Sequence, residues 1–169
     1  MQAAGDPWDV NQSQVITLMP DTDYILSFKA KASVARTIIA GLGQNFPDFI
    51  AVTETVALTT EWQTYTYTLT TTGFGGENNR VLFDMGSEIG AVSLDDVSVT
   101  LASVDNGGDT GGGDADGSDL TTNGNFETGD FSNWTVTENG GSITADNTQD
   151  SGSEWVAKLV TGNGNPTLT

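Results

Sequence analysis

Residues 24–32 spell Tyr-Ile-Leu-Ser-Phe-Lys-Ala-Lys-Ala, and this stretch decides the fold. Apolar residues at even positions, such as Tyr24, Leu26 and Phe28, alternate with residues such as Lys29 at odd positions. Side chains of a β-strand point alternately to opposite faces, whereas a helix returns to the same face about every 3.6 residues. The two-residue period therefore predicts a strand with one buried face.

The same pattern continues on both sides of this stretch. Further runs rich in Thr, Val, Ile and Tyr occupy residues 37–42, 54–58, 63–69, 81–85 and 92–101. Strands spaced about 8–12 residues apart are typical of an antiparallel sandwich. In the last run the apolar parity changes between Leu94 and Val97, and a β-bulge at Asp95-Asp96 would explain the change. The sequence therefore predicts an all-β fold, an antiparallel β-sandwich.

The composition changes after this segment. Residues 103–119 are mostly Gly, Asp, Asn, Ser and Thr, with little apolar surface to bury, and such a segment is typical of a linker. Strand-like patterns resume between Asn123 and Val160, but roughly 50 residues are too few for a separate sandwich. We therefore divide the chain into a body (1–102), a linker (103–119) and a tail (120–169), and we expect the tail to complete a sandwich.

The charge of the chain excludes two classes of partner. Five Lys and Arg residues stand against 23 Asp and Glu residues, which gives a formal net charge of -18. Such a surface repels a phosphate backbone and an anionic membrane, so we expect neither nucleic acid nor membrane as a partner. No stretch approaches the ~18 apolar residues of a membrane span. No secretion signal follows Met1, so we expect any export signal to lie outside this sequence.

Enzymatic activity is not expected. The chain has no Cys and no His, which removes thiolate nucleophiles, imidazole bases and the commonest zinc ligands. Glycoside hydrolysis needs two carboxylates about 5–9.5 Å apart. Among 23 acidic residues some pair would meet that distance by chance, so proximity alone would prove little.

Several short motifs together resemble the carbohydrate-binding modules of families 4, 9 and 22. They are Asp6-Pro7-Trp8-Asp9-Val10, Gly43-Gln44-Asn45, Thr59-Thr60-Glu61-Trp62-Gln63-Thr64-Tyr65, Leu94-Asp95-Asp96-Val97-Ser98-Val99, and Asn123-Gly124-Asn125-Phe126-Glu127 with Trp134. The resemblance implies a jelly-roll type of β-sandwich within a secreted protein. It also implies non-catalytic binding of a polysaccharide, either a β-glucan or a xylan.

The order of the segments departs from that family, in which a segment like 123–160 precedes one like 7–101. In addition, residues 162–169 parallel residues 3–10, although Thr167 stands opposite Trp8. A circular permutation, or a window cut out of phase from a tandem array, would explain this order. The tail completes either its own chain or a neighbouring one by strand exchange. The second case predicts a different function, a structural repeat of an extracellular fibre or adhesin held together by strand exchange and calcium.

Candidate carbohydrate contacts follow from the resemblance and from sugar chemistry. Aromatic side chains stack on sugar rings, while amides and carboxylates bind sugar hydroxyls. The candidates are Trp8, predicted on a strand, Gln44, Phe46, Phe49 and Asp84, with Asn11 and Arg36 as weaker candidates. Simple packing or a solvated face is the alternative for each of them. The aromatic residues Trp62, Tyr65, Phe126 and Trp134 are predicted to pack in the core or at its edge.

A structural calcium ion is the second expectation from the resemblance. Calcium binds six to eight oxygen atoms, many of them backbone carbonyls. The family pattern places ligands at Asp95 and Glu127, with carbonyls near Asn125, Ser151 and Glu154. Such an ion would hold the tail against the body. Residues 114–119 also resemble the start of an EF-hand loop, but the twelfth position is Asn125 rather than Glu, so we interpret them as linker.

Overall fold

The computed structural model describes residues 5–45, 48–102, 118–148 and 151–161. A 3₁₀ turn at Pro7–Asp9 precedes the first strand. The strands are β1 (Val10–Leu18), β2 (Asp23–Ala32), β3 (Arg36–Gln44), β4 (Ala51–Leu58), β5 (Gln63–Thr70), β6 (Gly76–Asp84), β7 (Gly90–Leu101), β8 (Thr135–Glu138), β9 (Gly141–Asp146) and β10 (Val156–Thr161). None of the helical structure in these ranges is long and apolar enough to cross a membrane.

The strands form two antiparallel sheets. The first sheet has the order β4-β3-β6-β1-β8, and the second has the order β5-β2-β7-β10-β9. The predicted antiparallel β-sandwich is therefore confirmed.

The core lies between the two sheets. Tyr24, Leu26 and Phe28 are fully buried, as the alternation in β2 predicts. The Phe28 ring meets Phe83 of the first sheet edge to face, with 5.0 Å between ring centroids. It also stacks on Tyr65 at 5.4 Å. Aromatic side chains from both sheets thus fix the distance between the layers.

The predicted bulge in β7 is confirmed. The register between β2 and β7 shifts between Ser27 and Lys29, opposite the position where Asp96 adopts a positive φ of 48°. A bulge inserts one extra residue and so reverses the alternation of faces. Leu94 and Val97 are consequently both buried although they differ in parity.

The tail adds strands to both sheets. β8 pairs with β1 at the edge of the first sheet, and β10 lies between β7 and β9 in the second. Phe126 and Trp134 are buried in contact with each other. The Gln14 amide makes two 2.7 Å hydrogen bonds, donating to the Thr122 carbonyl and accepting from the Thr122 N–H. Residues 103–117 and 162–169 lie outside the described residues, so the linker and the repeated end motif stay predictions.

Candidate functional site

A recessed surface lies on the outer side of the first sheet. Asn11 pairs with Asp84, and Ser13 pairs with Leu82, in the register of β1 and β6. These residues alternate with Phe83 and other core residues, so they lie on the opposite side of the sheet. Ser13 and Leu82 are nevertheless only 5% and 3% exposed. We call this surface the outer face, and its recessed floor suits a ligand-binding cleft.

Glycine in β3 shapes one wall of the outer face. A Cβ atom on Gly41 would lie 2.3 Å from the Val52 carbonyl oxygen and 2.8 Å from the Thr53 Cα atom. Both neighbours belong to β4, so β4 bends toward the outer side of β3 at this point. Only glycine permits so close an approach.

A hydrogen-bonded amide and carboxylate stand at one end of the outer face. The Asn11 Nδ2 group donates to Asp84 Oδ1 at 2.5 Å and to the Phe83 carbonyl at 3.3 Å. Burial raises the pKa of the Asp84 carboxyl, while the bond from Asn11 and the charge of Arg80 act in the opposite direction. The carboxylate is thereby held in a fixed orientation beside the floor of the cleft.

The turn that carries Trp8 lies beside the end of β6, and Trp8 is not on a strand as predicted. It belongs to the 3₁₀ turn that leads directly into β1, and its side chain is 61% exposed. Pro7 has a φ suited to a first helical turn, and the Asp6 N–H donates to the Asp9 carboxylate at 2.9 Å, which favours a turn over an extended chain. The Gly86 N–H donates to the Pro7 carbonyl at 2.7 Å and fixes the turn beside the end of β6.

The other predicted contacts lie toward the far end of the sheet. Gln44 is the last residue of β3 and pairs with Asn79, whereas Ile39 pairs with Asp84. These five steps along the strand correspond to about 17 Å. Phe49, in the turn after β3, is 58% exposed and has a φ of 50°. Phe46 lies outside the described residues.

Gln44 is not placed as expected. It has the parity of Ala40 and Leu42, which face the core, so by strand alternation it belongs to the inner side. The outer face instead receives Arg80, which pairs with Gly43 across β3 and β6. Arg80 was missed, as were Ser13 and Leu82. Counting parity from Asn11 and Asp84 along β1 and β6 would have found all three.

Arg36 is committed to the fold rather than to a ligand. Its side chain is buried and donates to the Met85 carbonyl at 2.5 Å, the Gly90 carbonyl at 3.1 Å and the Thr161 hydroxyl at 3.1 Å. Burial lowers the pKa of Arg36, against the charge of Glu88. Its guanidinium therefore ties the loop between β6 and β7 to the tail.

The residues predicted to bind calcium lie around the bulge in β7. Asp95 is fully buried, and its Oδ1 atom accepts from the Asp96 N–H at 2.8 Å. Its Oδ2 atom has no hydrogen-bond partner. Burial raises the pKa of Asp95, while the nearby Ser151 and Ser153 side chains and the bond from the Asp96 N–H act in the opposite direction. An unpartnered buried carboxylate oxygen is a feature that a bound cation would satisfy.

Two observations limit this cation site. Lys29 Nζ lies 2.7 Å from Asp96 Oδ2 and donates to the Ser151 carbonyl at 3.2 Å, so an ammonium group already contacts one predicted ligand. Glu127 accepts a 3.1 Å hydrogen bond from the Trp155 N–H. In the part of the chain that the structure describes, no three acidic side chains are grouped so that they could hold a metal. Backbone carbonyls would therefore have to supply much of the coordination.

The chain matches one family model and is similar to solved structures. A family model for the carbohydrate-binding domain of families 4 and 9 matches residues 1–88. A solved structure titled "CBM4 structure and function" is 34% identical, with a TM-score of 0.53 over 58% of this chain and 65% of that chain. This chain thus spans about two thirds of that structure's length. A structure titled "Family 16 Carbohydrate Binding Module-2" is 16% identical over 53% of this chain and 67% of its own, with a TM-score of 0.42. No curated protein matches the chain.

Proposed function

Because the chain belongs to the carbohydrate-binding domain family 4/9, we propose that it binds a polysaccharide, a β-glucan or a xylan, as a non-catalytic module of a secreted protein. The observation that carries this proposal is the exposed Trp8 on a turn that is hydrogen-bonded beside the end of β6, the strand that carries Asp84 and its bond to Asn11. The family is generally non-catalytic, which supports binding without turnover.

The chemistry of the outer face suits a sugar. The Trp8 indole offers a flat apolar surface for the C–H face of a sugar ring, and its exposed fraction of 61% leaves that surface accessible. The Asp84 carboxylate accepts hydrogen bonds from sugar hydroxyls, and bonds to ionised groups are stronger than neutral ones. Asn11 keeps that carboxylate in place. Farther along the face, Arg80 and Ser13 supply further hydrogen-bond donors.

The site is tested by affinity electrophoresis and titration calorimetry with soluble β-glucans and xylans. Trp8→Ala should weaken binding by about tenfold, because it removes the stacking surface. Val34→Ala is the matched control, since Val34 is also a well-exposed apolar side chain (53%) but lies in the turn between β2 and β3. Equal affinity of Trp8→Ala and the parent would overturn the assignment of Trp8.

The length of the site is a separate question. Phe49 is as exposed as Trp8 but lies toward the opposite end of the sheet. If one polysaccharide chain contacts both ends, Phe49→Ala should weaken binding of long oligosaccharides and leave binding of short ones unchanged. Equal effects on long and short ligands would contradict a site that extends along the strands.

We also propose a structural calcium ion at the bulge of β7. Asp95 and Glu127 would supply carboxylate oxygens, and Asn125, Ser151 and Glu154 would supply carbonyls. The unpartnered Asp95 Oδ2 atom supports this proposal. An ion there would join body to tail and stabilise the folded state by mass action. Calcium should then raise Tm in the parent and not in Asp95→Asn, and a Tm indifferent to calcium and to a chelator would refute the site.

Strand exchange is a second candidate function, that of a structural repeat in an extracellular fibre or adhesin. Within one chain β8 pairs with β1 and β10 pairs with β7, so the tail strands fit these edges of the body, and the identical tail of a neighbouring chain would fit the same edges. Size-exclusion chromatography with light scattering, with and without a calcium chelator, tests it. Exchange predicts dimers or larger species in calcium, whereas a monomer under both conditions refutes it.

A further inference from the structure

The outer side of the second sheet collects the positive charge of an otherwise acidic chain. The chain has only five Lys and Arg residues against 23 Asp and Glu residues. All three lysines, Lys29, Lys31 and Lys158, lie in β2 and β10 of this sheet. Lys29 and Lys31 alternate with core residues of β2 and so face outward.

Two of these lysines border a pocket. Lys31 and Lys158 both pair with Ser93 of β7, one from each side. Their Cα atoms are therefore two strand spacings apart, about 10 Å. Lys31, Ser33, Thr60, Ser93 and Lys158 line the pocket between them, which has a volume of about 300 Å³. We call it the lysine pocket.

The three lysines differ in whether a carboxylate neutralises their charge. Lys29 lies outside the pocket and is bonded to Asp96 at 2.7 Å, and Lys158 is bonded to Asp146 at 2.9 Å. Lys31 Nζ instead lies 5.1 Å from the centroid of the Trp62 ring. Among the described residues, no carboxylate lies within salt-bridge distance of Lys31. Its charge is thus balanced by an aromatic ring and not by a carboxylate of the described residues.

We propose that the lysine pocket is a second saccharide site, selective for a sugar that carries a carboxylate, that is, a uronic acid residue. That the ligand is a saccharide rests on the proposed function. That this saccharide carries a carboxylate rests on the lysines of the pocket. Lys31 binds the carboxylate. Lys158 neutralises Asp146 beside the pocket, and the hydroxyls of Ser33, Thr60 and Ser93 bind sugar hydroxyls.

Size and location agree with such a ligand. A volume of about 300 Å³ lies at the lower end of the range for small-molecule pockets, as a single sugar ring requires. The net charge of -18 does not prevent binding, because at physiological salt charges beyond about 8 Å are largely screened and the nearby lysines dominate. The pocket and the outer face belong to different sheets, so one module would contact a neutral main chain and an acidic sugar separately.

The test is titration calorimetry of the whole chain with trigalacturonate and with its carboxyl-reduced, neutral counterpart. Lys31→Gln should weaken trigalacturonate binding about tenfold or more, because it removes a charge-assisted hydrogen bond. Lys158→Gln should weaken it as well, because it leaves the Asp146 carboxylate unpaired beside the pocket. Lys29→Gln is the matched control. It makes the same charge change on the same side of the same sheet, outside the pocket, and should change affinity less than twofold. Binding should also weaken with added salt.

Three results would overturn the proposal. They are equal affinity for the acid and its reduced counterpart, equal effects of Lys29→Gln and Lys31→Gln, and binding of inorganic sulfate as tight as that of trigalacturonate. Neutral β-glucan or xylan binding, measured in parallel on Trp8→Ala, reports on the outer face. If the parent chain binds neutral β-glucan or xylan but does not bind trigalacturonate, this inference is refuted and the proposed function stands.

Discussion

Gln12 and Gln14 offer a matched test of how polar groups are accommodated inside this sandwich. Both lie in β1, both have the parity of the core residues Val10 and Ile16, and they are 0% and 2% exposed. Their amides differ in one respect. Both Gln14 amide atoms are bonded to Thr122, whereas neither Gln12 amide atom has a hydrogen-bond partner.

Methionine has nearly the shape of glutamine and no amide, so Gln12→Met and Gln14→Met change volume about equally. Gln14→Met removes two hydrogen bonds to Thr122, whose carbonyl keeps its bond from the Trp134 indole. Those losses should cost about 1–3 kcal/mol. Gln12→Met removes a buried amide that bonds to nothing and should stabilise the fold by about 1–3 kcal/mol.

The two variants should therefore differ by about 4 kcal/mol, which corresponds to roughly 8–16 °C in Tm for a chain of this size. Urea denaturation followed by tryptophan fluorescence measures the free energy of unfolding, and calorimetry measures Tm. Equal destabilisation by the two substitutions would refute the reasoning, because shape rather than hydrogen bonding would then decide the result.

Three further perturbations follow from the structure. Burial raises the pKa of Asp84, so ionised Asp84 lowers the folding stability at neutral pH, and this cost disappears as pH falls through the raised pKa. Asp84→Asn should therefore be at least as stable as the parent at pH 7 and lose that advantage in acid, as measured by urea denaturation at several pH values. Calorimetry should show that the same variant binds glycan more weakly. Gly41→Ala places a Cβ atom 2.3 Å from a β4 carbonyl and should cost about 1–3 kcal/mol in chemical denaturation, with weaker glycan binding. Phe126→Ala empties the centre of the Phe126–Phe131–Trp134 cluster and should cost about 3–5 kcal/mol; an unchanged midpoint would show that the tail does not contribute to stability.

Strand positions were predictable because alternation records burial directly. The pattern of residues 24–32 specified both the strand and its buried side, and the change of parity after Leu94 located the bulge. The order of the strands in each sheet was not predictable in the same way, because pairing between distant strands leaves no local signal. The position of β10 between β7 and β9 could be learned only from the structure.

Site residues were predictable only where strand parity applied. Asp84 was correctly placed on the side opposite Phe83, because both lie in one regular strand. Trp8 was wrongly assigned to a strand. Pro7 and the acidic residues around Trp8 favour a turn through hydrogen bonds, and an alternation pattern does not record such bonds. Gln44 was chosen by motif rather than by parity, and its parity places it on the inner side of β3.

The outer face depends on the tail for its geometry. β1, which carries Asn11, lies between β6 of the body and β8 of the tail. The turn that presents Trp8 is held from both sides, by the bond from the Gly86 N–H to the Pro7 carbonyl and by a 2.7 Å bond from the Asn139 N–H of the tail to the Asp9 carbonyl. A ligand that needs this turn in place therefore binds more tightly to molecules whose tail is docked. By thermodynamic linkage, polysaccharide binding and tail docking must then strengthen each other, whichever chain supplies the tail.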